Sequence, residues 1–324
     1  MSADDWRPTA TRAMLELRAQ ALERVRRFFR ERGVLEVDTP IVVNAAVTDV
    51  HIHSATVQLQ EASRPFFLHT SPEYAMKRLL AAGSGDIFQI CHVVRGFERG
   101  RLHNPEFTLI EWYRVGKTLD ELMDEVDALV REVLGARASG RPSERLSYRE
   151  AFLRELGMDP FTATLRDLAD AAARLGFDAG RAGAEDRDTL LDLLMGAAVG
   201  PRLGQDRLTF IYAYPASQAA LARLDPRDPQ TALRFELYCD GIELANGFHE
   251  LASAEEQRSR FERDRRERQR LGLPVFESDE RLLAALAAGL PDCTGVAVGF
   301  DRLLMIATGA HSIDDVIAFT TDRA

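Results

Sequence analysis

"RLHNPEFTLIEWYR", residues 101–114, is the stretch on which the fold turns. A polar run, Arg101 to Asn104, meets Pro105, and an alternating, strand-like segment follows whose polar side includes Glu106, Thr108 and Glu111. Just upstream, "DIFQICHVVRGF" is an apolar strand with Arg95 at its end, and a polar, glycine-containing turn joins the two. The pair reads as a hairpin with an arginine on one limb and Phe107, Glu111 and Tyr113 on the other. Arginine contacts phosphate in a bidentate fork, and an aromatic face stacks a base. A hairpin so equipped suits a ligand with a phosphate, a flat ring and an amine.

Around this hairpin the chain alternates between sheet and helix. Leu15, Leu22, Val25 and Phe29 recur at helical spacing over about residues 12–32, and Gly33 closes that helix. "GVLEVDTPIVV" is short and β-branched, with Pro40 confining it to an edge or an interface. From His51 to Val115 the pattern is antiparallel β with helical interruptions, among them a helix at Pro72–Ala82. About residues 118–205 form a helical insertion: "TLDELMDEVDALVREVLG" is amphipathic, and three further helices follow. Strands return at "LTFIYAYP", "RFELYCDGIELANGFHEL" and "GVAVGF". The charge run "EEQRSRFERDRRERQRLG" reads as a solvated helical face laced with i,i+4 pairs. No internal repeat or low-complexity linker interrupts this order.

The chain has 324 residues, 46% hydrophobic and 28% charged, the composition of a globular protein with a substantial core. Cys91, Cys239 and Cys293 are far apart and form no CxxC pair, which argues against disulfide staples or a zinc site and fits a reducing cytoplasm. The acidic, polar start "MSADDWRPTA" has no signal-peptide pattern, and no apolar run approaches the ~20 residues that span a bilayer. A formal net charge of −10 argues against a general nucleic-acid coat protein, because such binding rests on counterion release by a basic surface.

Three more stretches hold polar residues beyond the needs of packing. In "GIELANGFHEL", Glu243 and Glu250 bracket a glycine-containing strand, and Mg²⁺ is commonly held by one or two carboxylates with substrate phosphates. In "GVAVGFDRLLMIATG", a Gly/Ala-rich strand lets a ligand approach the backbone, and Arg302 then opens an apolar helix. In "HTSPEYAMKRLL", Ser71 or Thr70 caps a helix with Pro72 at its first position and Glu73 in its first turn.

Taken in order, "GVLEVDTPIV", "VVRGFERGRLHNPEFT" and "GVAVGFDRLL" resemble motifs 1, 2 and 3 of the class II aminoacyl-tRNA synthetases, nearest the lysyl branch. The likeness runs from about Arg18 to the C-terminal "DVIAFTTDRA". It implies an α+β fold, an antiparallel sheet of six or seven strands flanked by helices, forming one catalytic domain over residues 1–324 that is usually dimeric through motif 1. Motif 1 is reached by Gly33–Pro40, which leaves no room ahead of it for an OB-fold anticodon-binding domain of roughly 100 residues. The expectation is an activating domain that does not depend on tRNA. The fuller phrases "TSPEYAMKRLLAAG", "RLHNPEFTLIEWYR", "YPASQAALA" and "PDCTGVAVGFDRLLM" resemble the elongation factor P–(R)-β-lysine ligases. Where lysyl-tRNA synthetases typically read GLGIG, this chain has Ala297 between Gly295 and Gly299, a methyl that would favour an amine on the β carbon.

The resemblance implies ATP-dependent activation of (R)-β-lysine with Mg²⁺, then transfer to a lysine side chain of elongation factor P. In-line attack at phosphorus needs positioning and neutralised charge. Arg95 is expected at the α-phosphate and the amino-acid carboxylate, and Arg302 at the γ-phosphate and one face of adenine, with Phe107 on the other. Gly96, Phe97, Glu98, His103, Asn104, Leu244 and Gly299 complete the ATP site, and Glu243 and Glu250 hold the metal. Ser71, Pro72, Glu73, Glu111, Tyr113, Glu250 and Ala297 are the amino-acid residues. One departure stands out: the family's motif 2 reads Phe-Arg-Asn-Glu, whereas here Phe97 holds the glutamate position and Glu98 lies one place on, to substitute through a shift permitted by Gly96. A truncated lysyl-tRNA synthetase and a catalytically silent regulatory paralogue are the competing readings.

Overall fold

The structure is a computed structural model and describes residues 6–59, 65–96, 98–177 and 186–324. It divides into two compact units, Met1–Gly135 with Glu250–Ala324, and Ala136–His249. In chain order, the first unit opens with helix α1 (Arg12–Glu31) and the short strands β1 (Leu35–Glu36), β2 (Val42–Val43), β3 (Thr56–Val57) and β4 (Phe66–Leu68). Helix α2 (Glu73–Ala81), strands β5 (Ile87–Val94) and β6 (Glu106–Val115) and helix α3 (Leu119–Leu134) follow. The second unit holds β7 (Ser143–Ser147), α4 (Tyr148–Leu156), α5 (Leu165–Arg174), α6 (Arg187–Leu194), β8 (Leu208–Pro215), β9 (Leu224–Asp225), β10 (Asp228–Cys239) and β11 (Ile242–His249). The chain returns to the first unit with α7 (Ala254–Arg270), α8 (Glu280–Gly289), β12 (Cys293–Gly299) and α9 (Phe300–Thr308).

Local chemistry sets these boundaries. Thr11 caps α1 by accepting from Met14 N, and Gly33, at φ +69°, turns the chain beyond its end in a conformation other residues avoid. A reciprocal capping box between Thr118 and Glu121 starts α3. In the first unit, β5 and β6 pair antiparallel and β12 pairs antiparallel with β6, while β2, β4 and β3 make a small separate sheet. The antiparallel expectation fails at one edge of each unit's sheet. β1 runs parallel to β5, and β7 runs parallel to β8. In each case a long connection containing helix lets the chain re-enter in the same direction. Pro40 lies between β1 and β2 rather than inside a strand.

β6 is buried on both faces, so polar residues on it need partners. One face carries Thr108, Ile110, Trp112 and Arg114 toward the helices: Phe29 of α1 stacks on Phe88 at 4.3 Å and meets the Trp112 edge at 5.2 Å. Trp112 Nε1 donates to Glu125 of α3 at 3.2 Å. Strand periodicity puts Glu111 on the opposite face, with Phe107, Leu109 and Tyr113, not with Thr108. In the second unit α4, α5 and α6 bury Tyr148, Phe152, Leu168, Leu190 and Leu194 against Ile211 and Tyr214.

The charged helix α7 is only partly a solvated face. Arg268 is 1% exposed and donates to the carbonyls of Asp49 (2.6 Å) and Pro274 (2.7 Å), and Arg260 is buried beside Glu256. The three cysteines are free. Among the described residues, no helix is long and apolar enough to cross a membrane.

Candidate active site

The inner face of β6 supplies the site. Register places Gly295, Ala297 and Gly299 of β12 opposite Tyr113, Glu111 and Leu109, and Gln89 of β5 opposite Glu111. Both oxygens of Glu111 are engaged: Oε2 accepts from Ser71 Oγ at 2.7 Å and Oε1 from Tyr113 OH at 2.8 Å. Ser71 Oγ accepts in turn from Glu73 N at 3.0 Å. Pro72 is therefore the N-cap position of α2 rather than its first helical residue, and Ser71, one place earlier, serves both the helix entrance and Glu111.

Glu73 and Glu250 converge on one cation that the sequence reading did not single out, and Glu111 is near enough to feel its charge. Lys77, one helical turn beyond Glu73, lies 2.6 Å from Glu73 Oε1 and 2.6 Å from Glu250 Oε2, and its side chain is 2% exposed. Lys77 and Glu250 thus form a buried ion pair. Burial works against the Lys77 charge, but Glu250 and Glu73 outweigh it and hold its pKa above the usual lysine value. Burial, reinforced by Glu73, pushes Glu111 up to about 7 against the hydrogen bonds from Ser71 and Tyr113. Burial pushes Glu250 up to about 8, opposed by Lys77 and assisted by Glu73 and Glu111. The i,i+4 spacing of Glu73 and Lys77 was the available signal, and the capping chemistry of the same segment concealed it.

Gly295 makes this convergence possible. A Cβ there would fall on Tyr113 Cε1 and Glu250 Oε1 and lie 2.5 Å from Tyr113 Cδ1.

The hairpin turn gathers a cationic group. Arg95 N donates to Pro105 O at 2.8 Å, its side chain to Thr70 O at 3.3 Å, and its guanidinium lies 5.2 Å from the Phe107 ring centroid. Gly96 N donates to His53 O at 2.8 Å. Arg302, in the first turn of α9, donates to His103 Nε2 at 2.6 Å and to Leu102 O at 3.3 Å. Because arginine only donates, His103 accepts at Nε2 and is neutral. Burial and then Arg302 hold its pKa below the usual histidine value, with Glu98 acting in the opposite sense. Asn104 is spent on structure: it donates to Glu106 O at 2.7 Å and accepts from Thr321 N at 3.2 Å. Phe97 lies outside the described residues.

Asp301 fixes α9 against β6 and was also missed. It is 1% exposed, binds Arg18 Nη1 at 2.5 Å and accepts from Thr108 N at 2.6 Å. Arg302 and Phe107 are the sequence neighbours of this clamp.

In the second unit, Glu243 pairs in register with Tyr238, beside a bulge in β11 at Leu244, which is buried. Glu236 and Glu243 both act on Arg234 and Tyr238. Among the described residues, no group of three or more His, Cys, Asp or Glu converges as a ready metal site. Such a group is not required where phosphate oxygens complete an Mg²⁺ shell.

This fold, with an arginine-bearing hairpin, a glycine strand running into an arginine-bearing helix and a buried acidic pocket, is that of a class II synthetase. The family model of class II tRNA synthetases (D, K and N) matches residues 3–323, and the chain belongs to that family. It is an ATP-dependent ligase. Among its curated relatives are the elongation factor P–(R)-β-lysine ligases of Salmonella typhi, 51% identical over 330 residues, and of Salmonella paratyphi B, 51% identical over 323 residues. Each match covers 98% of both chains.

Proposed function

We propose that the protein activates (R)-β-lysine with ATP as an acyl-adenylate and transfers it to a lysine side chain of elongation factor P. The observation that carries the reading is the buried convergence of Glu73, Glu111, Glu250 and the Tyr113 hydroxyl, a set suited to an amino acid with more than one ammonium. The end-to-end likeness to ligases of that name supports it.

In the first step an oxygen of the amino-acid carboxylate attacks the α-phosphorus, the bond to the bridging oxygen breaks, and pyrophosphate leaves. Arg95 lies between the two anions, held by Thr70 O, and lowers their repulsion. Arg302, with neutral His103 at its side, meets the distal phosphate, and Phe107 stacks adenine. Glu98 takes the part of the missing motif 2 glutamate. In the second step an amine of the acceptor attacks the acyl carbon, AMP leaves with the bonding pair, and the amine loses a proton.

Of the two carboxylates expected at the metal, Glu250 is paired with an ammonium, and we assign to it the substrate amine. Glu243 is then the carboxylate for Mg²⁺, which supplies charge neutralisation on the ATP phosphates when bound. The protein is read as a single catalytic domain, cytoplasmic, dimeric through the motif 1 segment, and without tRNA as substrate. Pyrophosphate exchange with (R)-β-lysine and with α-lysine tests the first step. Exchange with neither would refute the proposal, whereas exchange with charging of tRNA and none of elongation factor P would convert it to the synthetase reading.

A further inference from the structure

We propose that Gln89 is a binding residue of the amino-acid pocket, and that its side-chain amide accepts a hydrogen bond from the substrate ammonium seated on Glu111. The inference rests on the activation of a lysine-like amino acid proposed above, and it adds a residue that reading leaves unused.

Gln89 of β5 stands directly opposite Glu111 of β6, and Glu111 stands opposite Ala297 of β12. Residues directly opposed in an antiparallel pair share a face, so the three form one row across the inner face of the sheet. Gln89 is 1% exposed. Among the described residues, neither its Oε1 nor its Nε2 has a hydrogen-bond partner, and it is the one side-chain amide open at both ends. The Cys91 thiol, two residues along the same face, is its neighbour, and a thiol is a weak partner for an amide. An amide buried without a partner destabilises the fold, and an apolar side chain of the same shape would fill the space without that penalty. Such a group calls for a partner, and one that arrives with the ligand meets the need.

The chemistry of the row says what that partner is. Glu111 Oε2 accepts from Ser71 and Oε1 from Tyr113, so the carboxylate is held from two sides while about half of its lone-pair sites stay open. An ammonium seated on Glu111 carries several N–H donors and no acceptor. Gln89 Oε1, on the adjacent strand, takes one of those donors. The amide is then oriented, and Nε2 is left to donate to Glu111. A neutral acceptor directs the ammonium without adding charge to a pocket already lined by Glu73, Glu111 and Glu250. Gln89 therefore contributes direction to a site whose charge the carboxylates supply.

Stability and binding should move apart in a full-length Gln89→Met variant, which nearly keeps the volume and removes both hydrogen-bonding atoms. Without ligand, its Tm should equal or exceed that of the wild type, because an unpartnered amide has gone. Pyrophosphate exchange should show the KM for (R)-β-lysine raised about tenfold or more, the worth of a hydrogen bond to a charged group, with the ATP KM unchanged. Added (R)-β-lysine should accordingly raise the Tm of the variant less than that of the wild type. A side chain that serves only the fold would lower the ligand-free Tm and leave the amino-acid KM in place. An unchanged amino-acid KM overturns the proposal. So does a variant that is destabilised or fails to fold, because that loss reports an amide already satisfied within the protein. If the wild type activates no lysine isomer, the functional reading itself fails, an outcome distinct from either of these.

Discussion

Replacing Gly295 by alanine puts a methyl where β12 passes closest to the pocket. The added carbon would overlap Tyr113 Cε1 and Glu250 Oε1, with Tyr113 Cδ1 at 2.5 Å. Neither neighbour is a loose chain end. Tyr113 is 2% exposed, stands opposite Gly295 in the ladder and donates to Glu111 at 2.8 Å; the Glu250 side chain is 1% exposed and tied to Lys77. Forcing an extra methyl into a packed interior costs about 1–3 kcal/mol. Loss of the Tyr113 hydrogen bond to a charged acceptor adds about 1.5–3 kcal/mol. Thermal or urea unfolding should therefore show Gly295→Ala destabilised by about 2.5–6 kcal/mol. Pyrophosphate exchange should show the amino-acid KM raised by about tenfold or more, from a loss of at least ~1.4 kcal/mol in binding, with the ATP KM nearly unchanged. The sign is informative, because glycine to alanine at an unstrained site stabilises by about 0.4–1 kcal/mol. A variant with wild-type unfolding and wild-type amino-acid KM would refute the close approach and the pocket built on it.

Asp301→Ala removes the carboxylate partner of Arg18 and the acceptor of Thr108 N, so unfolding should report a loss of about 3–5 kcal/mol; a loss under about 1 kcal/mol would contradict the clamp. Ala297→Gly removes the methyl paired in register with Glu111 and should move the kcat/KM ratio toward α-lysine, by about 10–200-fold at the limit set for one methyl; an unchanged ratio would remove Ala297 from the specificity argument. Glu250, pushed up to about 8, binds a proton in the folded state that it loses in the unfolded state above its ordinary value of 4.5. Its stabilising contribution is complete below the unfolded value and is lost as pH rises through the folded one. His69 and His103, held below their usual pKa, act in the opposite sense, so the readout is the difference between wild type and Glu250→Gln in Tm against pH. That difference should change between about pH 5 and pH 8, and a flat difference would rule out the raised Glu250.

Much of this architecture was legible because its signals are local. Thr11 and Gly33 bracket α1, the Thr118 and Glu121 pair opens α3, and Pro105 with the alternating run after it gives β6. What escaped depends on the return path of the chain. β7 reads "SERLS", with one apolar residue, and exists as a strand because β8 pairs with it after the chain has passed through α4, α5 and α6. β1 is two residues long, too short to show a period. The site divides along the same line. Glu111 and Tyr113 were visible as polar residues on an apolar strand, but the face they share follows from strand parity and from burial of Trp112 against Phe29. Lys77 looked like one cation in a capped helix, since Glu250 reaches it from far along the chain. Asp301 and Arg18 are likewise separated by 283 residues, so no local pattern announces their bond.

Transfer to protein tests the central claim most directly. Incubating the protein with ATP, Mg²⁺, (R)-β-lysine and unmodified elongation factor P, and then reading the acceptor by mass spectrometry, should show one β-lysyl group on a single lysine side chain, with AMP and pyrophosphate formed in step. An acceptor of unchanged mass, while the same preparation carries out pyrophosphate exchange and charges tRNA, would contradict the account.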